Sequence, residues 1–139
     1  ARTDPELVII ARSDALQPNG WDDAIARLRA YREAGADVIG ANCGDLDPSQ
    51  MAKVVALLRQ ATDRPILAQP NAGRPKLVDD RTVFDMAPGP FAEGIAECVR
   101  AGARIVGGCC GTGPEHIRAV ADMIRATNPA GSTPCGRRQ

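Results

Sequence analysis

Short apolar runs alternate with amphipathic segments four times along this 139-residue chain, and that alternation admits few folds. A strand that feeds a helix and then another strand forms a parallel sheet, with right-handed crossovers that keep the helices on one face. The runs at 6–11, 37–40, 65–69 and 104–108 read as buried strands. The segments 22–34, 48–61, 91–101 and 114–127 read as helices. Their expected inward stripes are Ile25, Leu28 and Tyr31; Met51, Val54, Val55 and Leu58; Phe91, Ile95, Cys98 and Val99; and Ile117, Val120, Ala121 and Ile124. Gly35 closes the first helix. Residues 70–89, with their prolines, glycines and a pair of aspartates, are expected to be a long loop at the far end of the third strand, and such loops often carry function.

The expected architecture is therefore α/β: four parallel β-α units over residues 1–127, half of a TIM (β/α)8 barrel, followed by a flexible tail at 128–139 rich in Pro, Gly, Ser and Thr. A complete barrel typically needs about 250 residues. A half-barrel would leave its inner face uncovered and its edge strands unpaired. We therefore expect a homodimer or a separate N-terminal half to complete it. The start without methionine, a few residues ahead of an apolar strand, likewise suggests a fragment.

Composition excludes several function classes. Lys plus Arg and Asp plus Glu both number 17, so there is no electrostatic case for nucleic acid or an anionic membrane. Aromatic residues make up 3% of the chain, too few for a base-stacking platform. No apolar run approaches a membrane span and no signal-peptide pattern opens the chain, so a cytoplasmic location is expected. Five cysteines in a reducing compartment argue against a disulfide framework.

The chemistry concentrates in Gly107-Gly108-Cys109-Cys110-Gly111-Thr112 and the following Gly113-Pro114-Glu115-His116-Ile117. Two adjacent side chains on a continuing strand point to opposite faces, so both sulfurs serve one centre only if the strand ends there. The glycines permit that turn, and the amides at the start of the next helix would favour thiolate charge. A third glycine-flanked cysteine lies in Gly40-Ala41-Asn42-Cys43-Gly44, so three thiols could converge from two strand ends. Cys98 shares a helical face with Phe91 and Ile95 and reads as core; Cys135 falls in the tail and reads as an exposed thiol. His116, the only histidine, reads as a structural residue of a helix's first turn.

These elements, with Ala68-Gln69-Pro70-Asn71-Ala72-Gly73, resemble in order and spacing the zinc-and-homocysteine half of the homocysteine S-methyltransferases, over residues 34–126. The family includes the homocysteine module of cobalamin-dependent methionine synthase. The resemblance implies Zn2+ held by Cys43, Cys109 and Cys110, with homocysteine sulfur in the fourth position, activated to accept a methyl group and give methionine. It leaves the donor open among methylcobalamin, S-methylmethionine and betaine. Asn71 would contact substrate, fill the vacant zinc position or form a turn, and Asn42 has a similar status. Asp14 would pair with the substrate amine or cap a turn.

Residues 1–35, with Ile9-Ile10-Ala11-Arg12-Ser13-Asp14-Ala15-Leu16 at their centre, look more like the isocitrate lyase and phosphoenolpyruvate mutase superfamily, also β/α barrels. The catalytic cysteine loop of that superfamily is absent, and Arg12 reads as the relic of an anion-binding arginine. Two other readings follow: a zinc-binding half-barrel or chimeric fragment without turnover, and a lyase-like remnant acting on a small carboxylate.

Overall fold

The computed structural model describes residues 6–13 and 16–127, excepting the side chains of 16–18. Asp14, Cys135 and the expected tail lie outside the described residues. The elements follow the order β1 (Ile10–Ser13), α1 (Leu16–Glu33), β2 (Val38–Asn42), α2 (Pro48–Ala61), β3 (Ile66–Gln69), β4 (Lys76–Val78), β5 (Arg81–Val83), α3 (Pro88–Arg100), β6 (Ala103–Val106) and α4 (Pro114–Thr127). Strands β1, β2, β3 and β6 lie side by side in that order, all parallel. The four expected β-α units are present, as in part of a TIM barrel.

Alternation along the strands sorts their side chains onto two faces. Ile39 and Ala41 of β2 and Ile66 and Ala68 of β3 pack under the helices with Met51, Val54, Val55 and Leu58 of α2. The whole predicted stripe of α2 is buried. This helix starts where it does for local reasons: Asp47 Oδ1 accepts from the Gln50 N–H at 2.9 Å, Gln50 Oε1 accepts from the Asp47 N–H at 3.2 Å, and Pro48 opens the first turn. A second cluster joins Phe91, Ala92 and Ile95 of α3 to Val120 of α4 and Ala72.

Helices α2 and α3 approach closely because α3 carries a glycine at the crossing. A Cβ on Gly94 would lie 2.4 Å from Pro48 Cβ. Replacing Gly94 by alanine gains about 1 kcal/mol of helix propensity but overpacks two helices that have no side-chain freedom there, at about 1–3 kcal/mol. We expect a net loss of up to about 2 kcal/mol, read from the urea midpoint.

The structure departs from the sequence reading in four places. The first strand is Ile10–Ser13 rather than 6–11, since the ladder to β2 begins at Ile10 opposite Val38, leaving Leu7, Val8 and Ile9 exposed. The first helix starts at Leu16, with a non-helical joint at Gly20 (φ 79°, ψ 179°). Residues 70–89 include a hairpin of β4 and β5, turned by Asp79 and Asp80, both at positive φ. The inward stripes of α1, α3 and α4 are only partly buried: Tyr31, Val99, Ile117 and Ile124 are exposed. For α4 the reason is its place in the row. It packs against α3 through Val120, Ala119 and Met123, and the face carrying Ile117 and Ile124 has no helix beside it among the described residues. The sheet is similarly open at its edges, with Ile10 of β1 and Ile105 of β6 exposed.

Candidate metal centre

The first thiol is turned into place by a strained residue. Strand β2 ends at Asn42, and the next two residues, Cys43 (φ 56°) and Gly44 (φ 62°), are both left-handed. For a side chain with a Cβ that conformation costs about 1–2 kcal/mol, and such strain persists where the surroundings enforce it. Here the Cys43 N–H donates to Gln69 O at 3.1 Å and the Cys43 carbonyl accepts from the Leu46 N–H at 3.4 Å.

The paired thiols sit beyond the end of β6, as the two-face argument requires. Strand β6 stops at Val106, and the chain turns through Gly107 and Gly108. The Cys109 N–H donates to Pro70 O at 2.8 Å, and the Cys110 carbonyl accepts from the Ala72 N–H at 2.9 Å. Thr112 Oγ1 donates to Cys109 O at 2.6 Å. Gly111 (φ 77°) completes the turn, and a Cβ there would stand 2.3 Å from Phe84 Cβ. No other residue meets both conditions without strain.

These turns bring the three sulfurs within 4.8 Å of one another. Cys43 Sγ lies 3.6 Å from Cys110 Sγ, and Cys109 Sγ lies 4.0 Å from Cys110 Sγ. A tetrahedral zinc ion with bonds of about 2.3 Å sets its sulfurs about 3.8 Å apart, so the donor set fits a thiophilic cation in spacing as well as chemistry. Among the described residues the cluster contains these three cysteines and neither histidine nor carboxylate. Three protein ligands with a fourth position left over is the pattern of a reactive site; structural zinc sites close all four. All three thiols are half-buried. Burial first, and then the neighbouring Cys110 and Cys109, together push the Cys43 thiol up to about 11. A bound cation opposes both effects, so metal uptake is coupled to proton release.

The remaining candidates fall in different places. Asn71 is 1% exposed and its amide is engaged by backbone: Nδ2 donates to Gly44 O at 2.6 Å and Oδ1 accepts from the Cys110 N–H at 3.2 Å. Asn42 is half-buried at the end of β2, opposite Gln69. Arg12 is exposed on β1 and donates to Gln69 Oε1 at 3.1 Å.

His116 is buried in the first turn of α4, away from the thiol cluster. Its Nε2 donates to Met86 O at 2.8 Å and its Nδ1 accepts from the Gly113 N–H at 3.1 Å, which selects the Nε2–H tautomer. The imidazole thus takes one of the amides that the sequence reading aimed at the thiolates, and fastens the start of α4 to Met86, between β5 and α3. That role was legible only as a first-turn residue; its partner Met86 is 30 residues away.

Cys98 is fully buried on α3, with Sγ 3.4 Å from Pro48 O. Burial, and then Glu97, push its thiol up to about 12. Cys98→Ser should leave the metal content unchanged and lower stability by about 1 kcal/mol, the low end for a buried hydroxyl because Pro48 O can accept its proton. Metal analysis and thermal unfolding of the same sample check both halves.

The homocysteine S-methyltransferase family profile matches residues 11–124. The chain belongs to this family. It is 37% identical over 114 residues to a methionine synthase of Mycobacterium leprae, covering 81% of this chain and 9% of that protein. It is 33% identical over 111 residues to betaine–homocysteine S-methyltransferase 1 of Danio rerio, covering 68% of this chain and 28% of the relative. Among solved structures, the metallated form of the homocysteine methyltransferase MmuM from Escherichia coli superposes with a TM-score of 0.50 at 27% identity, over 72% of this chain and 28% of that one.

A 2,3-dimethylmalate lyase of the phosphoenolpyruvate mutase/isocitrate lyase superfamily shares the fold over 95% of this chain and 40% of its own, with a TM-score of 0.50 at 22% identity. The methyltransferase match already begins at residue 11, so the two barrel likenesses overlap along the chain. The chain spans between 9% and 40% of the length of these proteins. Among the described residues no helix is long and apolar enough to cross a membrane.

Proposed function

We infer that this chain is the zinc- and homocysteine-binding part of a homocysteine S-methyltransferase, with Cys43, Cys109 and Cys110 as the metal's protein ligands. The observation that carries the reading is the convergence of three thiols, within 4.8 Å, from turns that follow two parallel strands. In β/α barrels that end of the sheet is where chemistry is placed.

Zinc held there would take the substrate sulfur in its fourth position and lower its pKa from the free-thiol value of about 8.5, giving a thiolate at neutral pH. The chain's own residues then have a positioning task. The left-handed Cys43 turn and the Gly107–Gly108 turn aim their sulfurs at a common point, and Asn42, on the rim of β2, is assigned to the substrate. A cleft of about 360 Å3 beside the Cys43 turn, between Asp45, Gln50 and Arg74, has room for an amino acid. In the reaction the substrate thiol gives its proton to solvent, a sulfur lone pair forms the new S–CH3 bond, and the donor keeps the electrons of the bond it loses. Methylcobalamin, S-methylmethionine and betaine are each compatible donors. On the face away from the helices Val38 and Leu67 of the central strands are buried, while Ile10 and Ile105 of the two edge strands are exposed. Those edges are unpaired among the described residues; they fit a partner that completes the barrel, either a separate first half or a second copy of this chain.

Calorimetry of the zinc-loaded chain with homocysteine in buffers of different ionisation enthalpy tests the proposal. We expect binding with release of about one proton per homocysteine near pH 7. Failure to bind homocysteine, or binding without proton release, would contradict it.

A further inference from the structure

We propose that Asn71 is a positioning residue that sets the spacing of the three thiols, an inference that rests on the metal reading above. Its amide hydrogen-bonds to both cysteine-bearing turns, donating to Gly44 O at 2.6 Å and accepting from the Cys110 N–H at 3.2 Å. Those partners lie 27 and 39 residues away in sequence. One follows Cys43 directly, and the other is the backbone of Cys110 itself.

The residue is in turn held from several sides. Its own N–H donates to Leu46 O at 3.0 Å, and its neighbours Pro70 and Ala72 hydrogen-bond to Cys109 and Cys110. The residue is 1% exposed, so bulk water does not compete for these bonds in the intact protein. Without the amide, the Gly44 carbonyl and the Cys110 N–H lose their common partner inside the protein. The Cys43 turn then keeps only its own bonds to Gln69 O and the Leu46 N–H, and nothing of the Asn71 side chain ties it to the Cys110 turn, so the 3.6 Å Cys43–Cys110 separation is less firmly set. Partners that orient metal ligands in this way typically account for 10–100-fold in affinity.

The test titrates the full chain with Co2+ alone, reading the thiolate-to-cobalt charge-transfer band and the affinity by chelator competition, with a urea midpoint for each variant. Asn71→Ala should lower affinity about 10–100-fold while the band per bound cobalt keeps its three-thiolate intensity. Asn71→Asp preserves the shape and the acceptor facing Cys110, loses the donor to Gly44, and should weaken binding in the same direction, which keeps the test decisive if the alanine variant fails to fold. Cys98→Ser supplies the comparison: a loss of stability without loss of affinity.

Unchanged affinity in the folded Asn71 variants would overturn the inference, as would a loss no greater than that of Cys98→Ser. A reduced band per bound cobalt would also overturn it, by showing that the ligand set had changed. If the unsubstituted chain takes up no cobalt, the metal reading itself fails, a result distinct from any of these.

Discussion

Serine in place of Cys110 is expected to abolish tight zinc binding while leaving the fold in place. Cys110 is the middle of the cluster, 3.6 Å from Cys43 and 4.0 Å from Cys109, so its loss leaves two sulfurs that no longer share a neighbour. An apparent zinc-binding free energy of about 10–16 kcal/mol, divided over four ligands, assigns about 3 kcal/mol to each. That corresponds to more than about a hundredfold in Kd. The side chain is half-buried at a turn and outside both apolar clusters, so the circular dichroism spectrum of the metal-free protein should be unchanged. Retention of stoichiometric zinc through gel filtration against a chelator would count against Cys110 as a ligand.

Phe91→Ala should produce the largest loss of stability, about 3–5 kcal/mol, against a total of about 5–15 kcal/mol for a typical domain. Phe91 is fully buried at the start of α3 and belongs to the cluster that joins α3, α4 and Ala72. Its ring also meets His116 edge to face, with centroids 5.4 Å apart and planes at 88°. Because His116 ties Gly113 to Met86, and Met86 is tied through the Ala72 carbonyl to the segment that holds Cys110, the cavity would also loosen the metal site. Urea denaturation should show the shifted midpoint, and zinc affinity should fall in parallel. An unchanged midpoint would mean that the second cluster does not hold the fold together.

What could be read in advance depended on how local its cause was. Helix α2 was legible to its ends because its apolar stripe lies within a single stretch that opens at Pro48. The Cys109–Cys110 turn was legible because glycine on both sides of adjacent cysteines has few structural uses. The β4–β5 hairpin was not: its strands are three residues long and exposed throughout, so no alternation marks them, and its turn is Asp79-Asp80 rather than a pair containing glycine. The burial of α4 also escaped, because Val120 and Ile117 are equally apolar and the position of α3 decides which of them is covered. Nor could sequence show the two-ended engagement of Asn71, whose partners are brought to it by the sheet. Its Pro-Asn-Ala-Gly setting suggested a turn as readily as a ligand.

The central claim is that Cys43, Cys109 and Cys110 hold one metal ion together. Zinc-edge X-ray absorption on the reconstituted chain, with metal content measured on the same sample, tests it most directly. The account predicts about one zinc per chain with three sulfur neighbours at about 2.3 Å, rising to four when homocysteine is added. A first shell of nitrogen and oxygen, or a sulfur count that does not change with homocysteine, would contradict it.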